Sequence, residues 1–212
     1  MIVTSDASAG KTRYTMNRAK FLEICASHPW PEVRTALENG ADPNTVNDDG
    51  VSALMLAAKG NTADTVNALL EHGAYINAKD NGGRTALMYA GYNPDFKVLN
   101  ALIAGGANAN AKDRNGRTPL MYAAEHNTNP LVIRDLLKAR AFVNARDTDG
   151  KTPLAFAVMR RSPNPDQYIV RELLHFGANP DIHIDGRRLE CFAKDSPSLR
   201  RTRALRALRA AS

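Results

Sequence analysis

Acidic side chains that could take part in acid–base chemistry recur in this chain at a nearly constant interval. Three aspartates, at positions 80, 113 and 147, each directly follow a basic residue. A catalytic acid and base must be close neighbours, whereas copies one repeat apart should lie about 10 Å from each other, the spacing of packed elements. The interval therefore indicates that a repeated turn needs these carboxylates and that they are not a catalytic pair. The pairs are Lys79-Asp80, Lys112-Asp113 and Arg146-Asp147.

Motifs for nucleophilic, metal or phosphate chemistry are missing or incomplete. The chain has no C-x-x-C, H-E-x-x-H or G-x-S-x-G, and its five histidines are scattered. Gly10-Lys11-Thr12 has the form of the end of a phosphate-binding loop, but Ser5 stands where such a loop needs its first glycine. We therefore expect a non-catalytic protein with no metal, no cofactor and no small-molecule substrate.

A repeated segment must position all of these residues. Thr85, Thr118 and Thr152 each begin a similar run of apolar residues, at intervals of 33 and 34, and Ser52 begins an earlier copy. A period in this range marks stacked supersecondary units. Each Ser or Thr is suited to cap a first helix, and a second helix follows with apolar residues at i, i+3 and i+4. The pattern predicts a helical solenoid of about five repeats.

The end of each second helix has a residue suited to a left-handed backbone. Gly73, Gly106 and Gly177 stand there in three repeats, and Arg140 takes the place in the fourth, where we expect a modest strain. Asn/Asp-Gly pairs follow in the connectors and predict tight turns.

Repeats and charge together predict three regions. Residues 1–16 are predicted to be a flexible tail, and residues 17–186 the repeat domain. The segment 187–212 carries a net charge of +6, whereas the charges of the chain before it sum to zero, so we expect a basic capping helix or tail there. The first repeat is degenerate, as a terminal cap requires. The predicted repeats are 17–49, 50–82, 83–115, 116–149 and 150–186.

These motifs resemble those of the ankyrin repeat family. Thr118-Pro119-Leu120 and Thr152-Pro153-Leu154 match its T-P-L-H motif up to the last position, where methionine or alanine replaces histidine. Glycine-alanine pairs followed by asparagine match its G-A-x-x-N segment. The resemblance implies an all-α solenoid of helix-turn-helix repeats joined by β-hairpin-like turns, whose function is to bind a partner protein. Loss of the histidine implies apolar packing between repeats. The replacing residues are Met55, Met88, Met121 and Ala155.

A row of basic residues follows the turn glycines. Arg84, Arg117 and Lys151 belong to it and are predicted to receive an acidic or extended segment of an as yet unidentified partner. The alternative is a ladder of solvated charges. Nearby, Tyr89 and Tyr122 are expected to pack in the stack with their hydroxyls at its surface.

The first helices are predicted to present a second set of partner-binding residues on the concave face. Their chemistry varies from repeat to repeat while neighbouring positions stay the same, which is typical of a surface that determines specificity. Aromatic and flexible apolar side chains are the best anchors. The predicted residues are Lys59, Tyr92, Glu125, His126, Met159 and Arg160.

The C-terminal segment carries a stripe of arginines on one predicted helical face, at Arg200, Arg203, Arg206 and Arg209. One interpretation is a terminal cap whose arginines are solvated. The alternative is a basic arm that binds nucleic acid or an anionic membrane. The arm has no aromatic residues, which argues against single-strand binding.

Location and assembly are predicted from what the sequence lacks. The N-terminus shows no signal-peptide pattern, no apolar run approaches the roughly 18 residues that cross a bilayer, and there are only two cysteines. We expect a cytoplasmic protein that is a monomer.

Overall fold

A computed structural model of the chain describes residues 17–27, 30–160 and 167–195, together with Arg206 and the short segments Ile2–Val3 and Tyr14–Thr15. It divides into an N-terminal unit, Met1–Asn108, and a C-terminal unit, Ala109–Ser212. Within the described ranges, no helix is long and apolar enough to cross a membrane.

The N-terminal unit is built from two rows of helices. The first helices α1, α3 and α5 pack side by side, and the second helices α2, α4 and α6 form a parallel row against them. A two-residue strand pair, β1 (Ile2–Val3) with β2 (Tyr14–Thr15), precedes them. The helices are α1 (Arg18–Ser27), α2 (Trp30–Glu38), α3 (Ala53–Gly60), α4 (Ala63–Glu71), α5 (Ala86–Ala90) and α6 (Phe96–Ala104).

The C-terminal unit repeats this arrangement. First helices α7 and α9 pack together, α11 packs on α9, and second helices α8 and α10 lie against each other. A short antiparallel hairpin, β3 (His183–Ile184) with β4 (Arg187–Arg188), leads into α11. The predicted limit at residue 186 falls inside this hairpin. The helices are α7 (Pro119–His126), α8 (Pro130–Lys138), α9 (Pro153–Met159), α10 (Gln167–His175) and α11 (Leu189–Asp195).

The predicted capping residues do precede the first helices, with extended backbones, but their hydroxyls behave differently. Ser52 accepts a bond from the Met55 N–H at 3.2 Å, and Thr152 accepts one from the Ala155 N–H at 3.3 Å. Among the residues that the structure describes, the buried hydroxyl of Thr85 has no hydrogen-bond partner. The repeats therefore share a backbone conformation without sharing every cap bond. The caps are Ser52 for α3, Thr85 for α5, Thr118 for α7 and Thr152 for α9.

The left-handed helix ends are confirmed. Gly73, Gly106 and Gly177 have φ of 88°, 90° and 84°, and Arg140 has φ of 63° at the same place in the fourth repeat. A side chain in this conformation is strained, typically by about 1 kcal/mol or more. Arg140 is thus held where the other repeats use glycine.

Methionine takes the buried position that the family's histidine would occupy. Met55, Met88 and Met121 are each at most 1% exposed. The sulfur atoms of Met55 and Met121 lie 3.4 Å from the backbone nitrogens of the capping residues Ser52 and Thr118. The prediction of apolar packing at this position is therefore confirmed.

Asparagine side chains link neighbouring repeats at two places. After the first helices, Asn61 donates to the Cys25 carbonyl at 3.1 Å, and buried Asn93 donates to the carbonyls of Ala58 and Asn61 at 3.2 and 2.9 Å. No motif in the sequence predicted these bonds, which join neighbouring repeats at the ends of the first helices.

The second asparagine ladder belongs to the Gly-Ala-x-x-Asn segment. The amide of Asn110 donates to the Arg140 carbonyl at 2.9 Å, and its oxygen accepts the Phe142 N–H at 2.7 Å. Each amide thus bridges two main-chain groups of the next repeat, which aligns neighbouring connectors. Equivalent pairs of bonds are made by Asn44, Asn77 and Asn144.

Candidate partner-binding site

The periodic aspartates hold the turns together, as predicted. One Asp80 oxygen accepts the backbone N–H groups of Gly82 and Arg84, both at 2.8 Å. Its other oxygen accepts the Arg84 guanidinium and the Tyr89 hydroxyl, also at 2.8 Å. Burial alone would raise the pKa of Asp80, but these bonds outweigh it and lower that pKa below its ordinary value. The carboxylate therefore stays ionised and has its acceptor sites occupied by the turn.

The expectation that the tyrosine hydroxyls lie at the surface is wrong. Tyr89 is 7% exposed, and burial together with its bond to Asp80 raises its pKa. In the C-terminal unit Tyr122 donates in the same way to Asp113 at 2.7 Å. A buried hydroxyl needs an acceptor, and the turn carboxylate supplies it.

In the N-terminal unit, two predicted partner-binding residues meet at the ends of the first helices. The Lys59 ammonium lies 5.7 Å from the centre of the Tyr92 ring, a cation–π contact. Tyr92 is 36% exposed. The third predicted residue of this unit, Arg84, is held by Asp80 and lies over the Tyr89 ring at 5.1 Å. Arg84 is therefore engaged in the turn as well as partly exposed.

In the C-terminal unit, five predicted residues line one open groove of about 670 Å³. The groove runs along the first-helix face, between the end of α7 and the beginning and end of α9. Its walls combine cationic, anionic and apolar side chains. The predicted residues in it are Glu125, His126, Lys151, Met159 and Arg160, and they are joined by Thr128 and Phe156.

Arg117 lies behind this groove and stiffens its wall. Its guanidinium is ion-paired with Glu125, and it lies 4.6 Å from the Tyr122 ring centre and 4.3 Å from that of Phe156. A planar cation held between two rings and a carboxylate has little conformational freedom. Arg117 therefore positions Glu125 and Phe156, and only a fifth of its side chain is exposed.

Two further groups set the electrostatics of the groove. The Arg160 guanidinium donates to the Asn127 carbonyl at 2.7 Å, which ties the end of α9 to the previous repeat. The pKa of His126 is lowered by burial and by the charges of Arg117 and Arg160. His126 is therefore neutral at pH 7, although Glu125 lies 3.3 Å from its Nε2.

Phe156 and Thr128 were missed by the sequence analysis. Phe156 has the same place in its repeat as Tyr89 and Tyr122, four residues after the cap, but it is only partly buried. That shared position could have identified it. Thr128 lies in the loop between α7 and α8, where no periodic signal applies.

The predicted arginine stripe lies mostly beyond what the structure describes. Arg200, Arg203 and Arg209 are outside the described residues, and Arg206 is described alone as an exposed residue in helical conformation. Gly10-Lys11-Thr12 is also outside them. Among the described side chains, no group of three His, Cys, Asp or Glu residues is placed to hold a metal ion.

Comparison with known families identifies the repeats. A family model for ankyrin repeats in three copies matches residues 22–113 and 91–184, well over half of the chain. A search of curated proteins finds no match. The paired rows of helices, the left-handed helix ends and the asparagine-bridged connectors agree with this assignment. The chain belongs to the ankyrin repeat family and is an all-α ankyrin solenoid.

Proposed function

We propose that this chain is a non-catalytic interaction module that binds a partner protein through its hairpin tips and first-helix face. Ankyrin repeats are generally protein–protein interaction modules. The observation that carries the proposal for this chain is the groove of the C-terminal unit, where five residues predicted from sequence to contact a partner lie together.

The composition of the groove suits a protein ligand. Phe156 and Met159 offer apolar contact area, and aromatic and flexible apolar anchors dominate interface energetics. Lys151 and Glu125 carry charges of opposite sign, and each is also ion-paired within the chain, with Asp149 and Arg117 respectively. The wall behind them is held rigid by Arg117, so little conformational entropy is lost when a partner binds.

Photo-crosslinking from two matched positions tests this proposal. A photoreactive phenylalanine analogue replaces Met159 in the groove, and in a separate chain it replaces Leu131, which is 37% exposed on α8. We expect the Met159 chain to crosslink to one discrete protein in cells, and the Leu131 chain not to do so. The captured protein is then purified and its binding to the wild-type chain is measured directly.

Two crosslinking results at these positions would contradict the proposed binding surface. A protein that crosslinks equally from Met159 and Leu131 would indicate non-specific contact. A discrete partner captured only from Leu131 would assign binding to the second-helix face and refute the proposed surface.

Binding of nucleic acid or an anionic membrane by the arginine stripe remains a prediction from sequence. It is separable from groove binding because electrostatic attachment to a polyanion weakens steeply with salt. A chain that ends at Ser196 would lose tail-dependent binding and keep groove-dependent binding.

A further inference from the structure

A strongly basic patch with one exposed aromatic ring lies on the connectors of the C-terminal unit, and its residues are not among those that line the groove. We name it the connector patch, and all six of its side chains are exposed. Within the described residues, Arg114, Lys138, Arg140 and Arg146 form no ion pair. The patch consists of Lys112, Arg114, Lys138, Arg140, Phe142 and Arg146.

Hydrogen bonds between two neighbouring connectors bring these residues together. Asn110 bridges to Arg140 and Phe142, and the Lys112 ammonium donates to the Arg146 carbonyl at 3.2 Å. Further along, the Thr148 N–H donates to the Asn115 carbonyl at 2.9 Å. The connectors therefore run beside each other and present their cations as one surface.

The carboxylates of these connectors do not neutralise that surface. Asp113 accepts the backbone N–H groups of Asn115 and Arg117 at 2.9 and 2.8 Å. Asp147 accepts those of Asp149 and Lys151 in the same manner. Asp149, the third carboxylate of these connectors, is ion-paired with Lys151 at 3.1 Å. The five cations of the patch outnumber the two turn carboxylates, so the surface is cationic.

The repeat fold does not require this charge. Where Lys138 stands, the first two repeats carry Glu38 and Glu71, and where Arg114 stands they carry Asp48 and Asn81. At these two places the third repeat has one basic residue, Arg114, and the fourth has one, Lys138, whereas the first two repeats have none. Lys112 and Arg146 occupy a place that is also basic in the second repeat, so the added charge of this surface comes from Arg114, Lys138 and Arg140.

Arg140 adds an independent observation. Its φ of 63° is the conformation that Gly73, Gly106 and Gly177 adopt without strain. Open space surrounds those three glycines, since an added Cβ would meet nothing within 4 Å, so the strain at Arg140 comes from the backbone alone. A side chain kept at a strained position that glycine would relieve points to a use for that side chain.

Phe142 supplies the apolar component. It is 66% exposed, and its backbone is fixed by the 2.7 Å bond to Asn110. Two other repeats carry asparagine at this place, Asn108 and Asn179. An exposed ring on a hydrogen-bonded backbone, in the same connectors as several cations, can stack on a base while the cations bind phosphate.

We propose that the connector patch binds single-stranded nucleic acid without strong sequence preference. Lys112, Arg114, Lys138, Arg140 and Arg146 contact phosphates, and Phe142 stacks on a base. The carboxylates of an acidic peptide could use the cations, but they offer no surface that stacks on the two-thirds exposed ring. This function is separate from partner binding in the groove and does not depend on it.

Fluorescence anisotropy tests the proposal, with the full chain and a labelled oligouridylate. The oligonucleotide has about 20 nucleotides, which is longer than a typical single-strand site. Phe142→Asn should weaken binding about tenfold, because it removes one base stack. Arg140→Gly should weaken binding and lower the slope of log affinity against log salt by about 0.7. Because glycine is the unstrained residue at this position, lost affinity in Arg140→Gly cannot be attributed to a damaged fold.

Tyr75→Asn is the matched control, since Tyr75 is the equally placed exposed aromatic of the N-terminal unit, and it should bind like the wild type. Oligonucleotide binding that Phe142→Asn and Arg140→Gly leave unchanged would assign it to another surface and overturn the proposal. So would binding of a polyglutamate peptide in the absence of any oligonucleotide binding, because the patch would then recognise acidic protein.

Discussion

Two threonines in equivalent positions should respond in opposite ways to the same substitution. Thr85 and Thr152 are both 2% exposed, and their backbones match, with φ of −105° and −99°. Replacement by valine keeps the branched shape and removes only the hydroxyl. Any difference between the two variants therefore reports on the hydrogen bonds of that hydroxyl.

The structure sets the sign and the magnitude of each effect. Thr152 loses the bond from the Ala155 N–H, so Thr152→Val should lower the free energy of unfolding by about 1–2 kcal/mol. Thr85 has no partner for its buried hydroxyl in the described part of the chain, and the Met88 N–H is satisfied by the Thr85 carbonyl at 3.0 Å. Thr85→Val should therefore raise the free energy of unfolding by about 1 kcal/mol.

Equilibrium urea unfolding of the wild type and both variants measures the difference, with an unchanged m-value as the check that the same transition is followed. For a chain of this size, each kcal/mol should also shift the Tm by about 2–4 °C. If Thr85→Val destabilised the protein as much as Thr152→Val, the hydroxyl of Thr85 would have a partner and the reasoning would be refuted.

Three other substitutions test separate contacts. Asp80→Asn should lower the free energy of unfolding by about 2 kcal/mol, because the carboxylate accepts hydrogen bonds from the Arg84 guanidinium and the Tyr89 hydroxyl. Since the pKa of Asp80 is lowered in the fold, this stabilisation is present above about pH 4 and is lost at lower pH. Acid titration of the wild type and the variant checks this. His126→Gln should make stability less sensitive to mild acid, because burial and two nearby guanidinium groups lower the pKa of His126. In thermal melts the wild type should lose more stability than the variant between about pH 6.5 and about pH 4, and equal losses in that range would contradict this. Asn93→Ala should cost about 2 kcal/mol in urea unfolding, since two main-chain oxygens of the preceding repeat lose their donor, and a loss below about 0.5 kcal/mol would show that the ladder contributes little.

Much of the fold is predictable because each repeat makes the same local demands. The left-handed helix ends can be read from Gly73, Gly106 and Gly177, and even Arg140 follows once the period is known. The turn aspartates are predictable for the same reason. A requirement that recurs once in every repeat is visible in a single sequence.

Contacts made by side chains across repeats are much less predictable. The bonds from Asn61 and Asn93 depend on carbonyls of the preceding repeat, and nothing in their local sequence marks them. The tyrosine hydroxyls were expected at the surface, whereas Tyr89 is turned toward the carboxylate of Asp80. Local pattern identifies the buried face of a helix but not the partner of each polar atom.

The candidate site contains residues that the sequence predicts and contacts that it does not predict. Variation among first-helix positions indicated Glu125, His126 and Met159, and these residues do line one groove. The clamp on Arg117, with its ion pair and two rings, needs three-dimensional packing and could not be read from the row of basic residues. Phe156 was overlooked although its place in the repeat, four residues after the cap, is that of Tyr89 and Tyr122.

Binding through the first-helix face can be decided by isothermal titration calorimetry of the purified partner with the wild-type chain, Met159→Ala and Leu131→Ala. Truncating an anchor at an interface typically costs more than about 1 kcal/mol, so we expect Met159→Ala to weaken binding about tenfold and Leu131→Ala to leave it unchanged. Equal affinities for the wild type and Met159→Ala, with weaker binding by Leu131→Ala, would contradict binding through this face.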